Sequence, residues 1–133
     1  MKKGYKTNIE ELTIEENYFR RVLYTADNMQ LVLMSLNPKE EIGEEVHPEN
    51  DQFFRFEKGE GKVIINETEY KVKDGDAVII PRGCKHNVIN TSDTEDLKMY
   101  TIYATPHHRD GVKHKTKEAA EQDHEEFDGK TTE

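Results

Sequence analysis

The chain has 133 residues, with 19 Lys and Arg against 28 Asp and Glu, a formal net charge of −9 and a single cysteine. That length holds one compact domain rather than two, and the lone Cys84 excludes an internal disulfide or a Cys-rich zinc or iron–sulfur centre. The acidic balance argues against gripping nucleic-acid phosphates and against docking on an anionic membrane surface. No run reaches the roughly 20 apolar residues of a membrane span. Residues 1–16 carry early lysines but no apolar stretch of the signal-peptide kind, so a cytoplasmic protein is expected.

Residues 1–18 read as an N-terminal arm. Residues 19–104 then carry apolar residues in short runs: FRRVLYT, MQLVLMSL, QFFRF, KVIIN, AVIIP and LKMYTIYA. Turn-forming stretches at residues 26–28, 37–38, 58–61, 73–76 and 90–96 separate them. Short β-branched and aromatic runs at that spacing, without a 3.6-residue period, predict an all-β sandwich or barrel. The segment YFRRVLYT has no assigned partner among the later runs. It is expected to add to a sheet, a second protomer's included, giving a homodimer. In residues 105–133 the apolar content falls to Val112, Ala119, Ala120 and Phe127. Thr116 is placed to cap a short helix over KEAAEQDHEEF. Residues beyond about His114 are expected to lie outside the barrel, and a truncation near Lys115 to stay folded.

Two polar sets interrupt the strand pattern. In the first, Glu45 and His47 are two apart and so share a face of an extended chain. In the run that follows, alternation groups Gln52 with Phe54 and Phe56, and Asp51 with Arg55 and Glu57. The apolar face turns inward and carries Gln52 with it, leaving Asp51 outside. In the second set, Pro81 and Gly83 turn the chain, and His86 opens another strand. Two imidazoles, a carboxylate and an amide oxygen, from His47, His86, Glu45 and Gln52, suit a divalent transition metal. Two His and one carboxylate is the donor set of non-haem iron, and Mn, Co, Ni or Zn also fit.

The second set, Gly75, Pro81, Gly83, His86 and Asn90, resembles the second cupin motif, G-x5-P-x-G-x2-H-x3-N, at every fixed position. The first cupin motif, G-x5-H-x-H-x(3,4)-E-x6-G, is matched with substitutions. His47 holds the second His position, Gln52 the Glu position and Gly59 the closing Gly, while Lys39 replaces the first Gly and Glu45 the first His. The chain therefore resembles small single-domain cupins, including those labelled mannose-6-phosphate isomerase-like. The resemblance implies a double-stranded antiparallel β-barrel, or jelly roll, with a metal in its mouth, and the dimer usual for such domains. The two substitutions move the ligand carboxylate without changing the ligand charge of −1, as expected of a site that still binds metal.

The His-rich tract PHHRDGVKH admits two readings, a solvated loop or a cap that sets His107 or His108 over the barrel mouth as a general acid or base. Tyr103 is either core packing or a pocket wall. His114 and His124 read as surface residues. Arg20 and Arg21 read as a solvated pair, with an anion clamp as the alternative. Cys84 reads as a bystander, and Met29, Met34 and Met99 as core fillers. The function these residues support first is an enzyme acting on a small organic molecule at the metal, by isomerase, epimerase or dioxygenase-like chemistry. A non-catalytic barrel that binds a sugar or other small ligand is the alternative, and a structural barrel with a vestigial site is the third reading.

Overall fold

The computed structural model describes residues 1–133. It opens on a helix, α1 (Ile9–Glu15), within the segment expected to be a plain arm. Asn8 caps it, its side-chain oxygen accepting from the Glu11 N–H at 3.0 Å, and Glu10 and Glu11 set negative charge at the positive end of the helix dipole. The buried Lys98 ammonium donates to the Glu16 carbonyl at the other end.

Nine strands follow: β1 (Arg20–Thr25), β2 (Gln30–Leu36), β3 (Asp51–Lys58), β4 (Glu60–Ile65), β5 (Thr68–Lys73), β6 (Ala77–Ile80), β7 (His86–Asn90), β8 (Leu97–Ala104) and β9 (Lys113–His114). A last helix, α2 (Lys117–Gln122), is capped by Thr116 as expected, but ends five residues short of Phe127. All strand pairs are antiparallel. They form a six-stranded sheet in the order β6-β3-β8-β2-β1-β9 and a three-stranded sheet in the order β5-β4-β7. One core lies between them. Val32, Met34, Leu36, Phe54, Phe56, Met99 and Tyr103 come from the larger sheet, and Val63, Val72 and Val88 from the smaller.

This is the all-β jelly roll expected, as a two-sheet sandwich. The sheets do not close into a continuous barrel, because no ladder of hydrogen bonds joins them. Instead, isolated bridges pair Glu41 with Ile89 and Glu45 with His86 along the free edge of β7. The turn geometry of the motifs has visible causes. A Cβ on Gly59 would sit 2.3 Å from the Asp96 carbonyl oxygen, so only glycine fits. Asn90 donates from its amide to the carbonyls of Leu36, Asn37 and Glu95, tying the end of β2 to the loop between β7 and β8. Lys39, which stands in the first motif's glycine position, holds the left-handed φ of 64°.

Several expectations need correction. β1 is not an unpartnered edge: it pairs with β2 on one side and with β9 of its own chain on the other. That pairing sets His114 opposite Arg20 and buries both, whereas each reads from the sequence as a surface residue. The tail does not stand clear of the fold. Phe127 donates its N–H to the His107 carbonyl at 3.0 Å, Thr132 donates to the Thr25 carbonyl at 2.9 Å, and the Glu125 side chain is 3% exposed. Met29 is 48% exposed and fills no core, unlike Met34 and Met99. β5 carries no apolar run that marks it as a strand, because only Val72 in it is buried. No helix is long and apolar enough to cross a membrane.

Candidate metal centre

The two polar sets meet because backbone hydrogen bonds zip them together. Glu45 and His86 exchange both of their N–H to carbonyl bonds, each at 2.9 Å, as directly opposed residues of an antiparallel pair do. Gly83 donates its N–H to the His47 carbonyl, also at 2.9 Å, at the turn that delivers His86. A glycine suits that turn, whose φ is 82°.

This pairing gathers the side chains of Glu45, His47 and His86 so that one ligand atom from each lies within 4.8 Å of the others, a group able to hold a metal ion. Glu45 Oε2 lies 3.1 Å from His47 Nε2 and 4.0 Å from His86 Nε2. The two imidazoles are buried, with ring centroids 5.0 Å apart, and Glu45 keeps a third of its side chain exposed. His86 donates Nδ1–H to the Cys84 carbonyl at 3.0 Å, which leaves the Nε2 lone pair free. Nε2 is buried and takes no hydrogen bond. Burial pushes the Glu45 carboxyl up, but the hydrogen bond and charge of His47, with Arg20 and His86, hold it below the usual range. Burial likewise pushes the His86 imidazole down, against the hydrogen bond to Cys84. The centre therefore presents one ionised carboxylate and an unprotonated His86.

Gln52 lies on β3 with its side chain inside, 3% exposed, and Asp51 is exposed with its carboxylate accepting from the Arg82 N–H at 2.8 Å. Strand alternation anticipated both placements. Gln52 donates Nε2–H to Thr101 Oγ1 at 3.0 Å, and its Oε1 is buried without a partner. A buried polar atom left unpaired costs about 1–3 kcal/mol. Two such atoms, His86 Nε2 and Gln52 Oε1, together with the two-imidazole, one-carboxylate set, fit a divalent transition metal.

Tyr103, His107 and His108 gather beside this cluster. The His47 ring packs edge-on against Tyr103 at 5.6 Å and against His107 at 4.4 Å between centroids. His107 stacks on Tyr103 at 5.1 Å, and His108 meets both rings edge-on. Burial, with the nearby His108 and His47, lowers the His107 pKa to about 4, so its ring is neutral at pH 7. Burial raises the Tyr103 phenol far above its ordinary value.

Sequence reasoning missed the residues that hold these groups in place. Gln30, fully buried, accepts from the N–H groups of His107 and His108 and donates to the His108 carbonyl. Asn50 donates to the Thr105 and Pro106 carbonyls. Glu125 accepts from His108 Nδ1 at 3.0 Å. Parity could have found Gln30, which shares the inward face of β2 with Val32, Met34 and Leu36. Nothing local marks Glu125 within its acidic run. His124 is exposed, as expected.

A double-stranded jelly roll with a His and carboxylate cluster at one end is the architecture of a cupin. The Cupin domain family matches residues 32–103, and the chain belongs to that family. Protein L612 of Acanthamoeba polyphaga mimivirus is 44% identical over 110 residues, covering 80% of this chain and 69% of that protein. YrkC of Bacillus subtilis is 43% identical over 121 residues, covering 86% of this chain and 64% of YrkC, so the chain spans less than two thirds of YrkC's length. Among solved structures, BH2720 from Bacillus halodurans is 41% identical with a TM-score of 0.89, covering 91% of this chain and 96% of that one.

Proposed function

We propose that this cupin binds one divalent transition metal through Glu45, His47 and His86, with Gln52 Oε1 as a weaker fourth donor, and acts there on a small organic molecule. The observation that carries this reading is the buried, partnerless His86 Nε2 beside Glu45 and His47. A bound metal would supply a Lewis acid that polarises a substrate oxygen. The chain itself supplies a proton-transfer group next to that position. His107 is neutral at pH 7 and can accept a proton, and Tyr103, whose phenol stays protonated over the same range, packs against it as a polar wall of the site. His108 backs Tyr103 from behind. This favours acid–base chemistry of the isomerase or epimerase kind.

A second reading, dioxygenase-like chemistry, is favoured by the donor set itself, since two His and one carboxylate is the non-haem iron arrangement. Metal identity separates the two: iron points to oxygen chemistry, and Mn, Co, Ni or Zn to acid–base chemistry. The deciding experiment is metal analysis of protein purified without a His tag and reconstituted with each of the five ions. About one equivalent per chain, lost in His86→Ala, is expected. A wild-type protein that stays empty with every ion overturns the proposal.

The partner in solution is proposed to be a second copy of this chain. The outer face of the larger sheet carries a cross-strand row, Tyr24, Leu31, Ile102, Phe53 and Ile79, and Ile79 is 67% exposed. Pairing two such faces would remove that apolar row from water.

A further inference from the structure

The buried Tyr103 ring packs edge-on against His47, and a chain of hydrogen bonds runs from its hydroxyl to the C-terminal tail. Tyr103 Oη lies 3.3 Å from His108 Nε2. His108 Nδ1 lies 3.0 Å from Glu125 Oε2 and 3.2 Å from Oε1. The second carboxylate oxygen also accepts from the Arg109 N–H at 2.9 Å. The His108 and Glu125 side chains are 7% and 3% exposed, so no solvent competes for these bonds.

We infer that Glu125 is a positioning residue, which acts through His108 to aim the Tyr103 hydroxyl proton away from the metal cluster and present the phenol oxygen to the site as a hydrogen-bond acceptor. The inference takes the cluster as a functional site, whereas the hydrogen-bonded chain stands whether or not metal binds. The logic is one of donors and acceptors. A carboxylate has no hydrogen to give, so His108 must donate Nδ1–H to it. Burial pushes the His108 imidazole below its ordinary value despite the bond to Glu125, and a neutral imidazole with its proton on Nδ1 has a lone pair on Nε2. The Tyr103 O–H then donates to Nε2, and only its lone pairs remain for any other neighbour. Glu125 is held well below the usual carboxylate range, to about 2, where burial is outweighed by the bonds from His108 and Arg109. It follows that Tyr103 receives a donor, a ligand hydroxyl or a water, rather than a bare carboxylate oxygen. A segment that reads from the sequence as a dispensable tail thus supplies a part of the site.

The test is the tautomer of His108, read by long-range 1H–15N correlation on the full-length, metal-free protein near pH 7. The wild type is expected to show the Nδ1–H form, and a slowly exchanging Tyr103 hydroxyl proton with a nuclear Overhauser contact to the His108 ring. In Glu125→Gln, the carboxamide oxygen is claimed by the Arg109 N–H and its nitrogen donates to His108 Nδ1. The tautomer should therefore switch to Nε2–H, while metal stoichiometry matches the parent. A residue that merely pins the tail would not move the tautomer. An Nε2–H tautomer in the wild type overturns the inference, as does an unchanged tautomer in a folded Glu125→Gln. If that variant does not fold, the wild-type measurement decides alone. A wild-type protein that binds no metal would sink the metal proposal and leave the tautomer result intact, so the two failures are distinguishable.

Discussion

Glu45 carries the only formal charge among the proposed ligands, and its position two residues before His47 is where the family motif has a histidine. Glu45→His would restore the motif but leave Gln52 as the only oxygen donor and remove the ligand charge. It should bind metal more weakly than the parent by titration calorimetry, despite looking more like its relatives. Gln52→Glu should keep metal, and Asp51→Ala should change nothing, because Asp51 faces out and serves the Arg82 N–H. An Asp51→Ala protein that loses its metal would contradict the strand parity. Lys39 is a second departure. Its left-handed φ of 64° costs a non-glycine residue roughly 1–2 kcal/mol, partly offset by the freedom a glycine adds to the unfolded chain. Lys39→Gly should raise stability in urea by up to about 1 kcal/mol. A loss of that size would mean that the Lys39 ammonium bond to the Thr91 carbonyl matters more than the strain. His107 makes a pH prediction. Its pKa is about 4 when folded against about 6.5 when unfolded, so the two states differ in protonation only below about pH 6.5. There the unfolded chain takes up the proton first, and stability should fall from pH 6.5 to about 4. His107→Phe should flatten that slope by about 2 kcal/mol, allowing for its partial exposure.

Among the elements, the tail shows most clearly how helix content misleads. α2 has no buried residue, so Thr116→Ala should cost no more than about 0.5–1 kcal/mol, the ordinary value of a cap. The extended residues after α2 matter more, because Asp123 meets His114 Nε2 at 2.9 Å and Glu125 meets His108. A chain ending at Lys115 keeps β9 but strands two buried imidazoles. It should lose about 1–3 kcal/mol per unpaired group in chemical denaturation. An unchanged midpoint would restore the reading of the tail as dispensable. The acid side of that contact has its own window. Glu125 ionises at about 2 folded against a carboxylate's usual 4.5, so its contribution is complete above about pH 4.5 and is lost as pH falls towards 2. β1 makes the complementary point: a strand whose sequence names no partner finds one in residues 113–114 of its own chain.

For the whole molecule, the two sheets predict a strand-dominated far-ultraviolet circular dichroism spectrum with a minor helical part from α1 and α2. The proposed self-association rests on the outer apolar row that includes Ile79 and Phe53 rather than on an open β1 edge. Sedimentation should give a dimer at micromolar concentration, and Ile79→Lys should shift it towards monomer. A wild-type monomer at that concentration would refute the pairing. Jelly-roll connectivity also explains how residues as far apart as Gln30, Glu45, His86, Tyr103 and Glu125 come to serve one end of the sandwich. Gln30, Tyr103, Gln52 and Ile80 stand opposite one another on successive strands, a single row across the sheet.

Local chemistry carried much of this protein. The motif spacing around Gly75, Pro81, Gly83, His86 and Asn90 pointed to the cupin fold. Alternation around Gln52 settled which side chain enters the core, because a strand's period of two is a property of the backbone alone. The Thr116 cap was legible for the same reason: its hydrogen bond closes within one turn. What lay beyond the sequence were the contacts between residues far apart in the chain. Whether Arg20 and His114 are buried, and whether Glu125 is solvated or anchors His108, depends on which strand becomes whose neighbour. No local period records that choice. It follows from burying one face of each sheet against the other, and only the folded chain decides it.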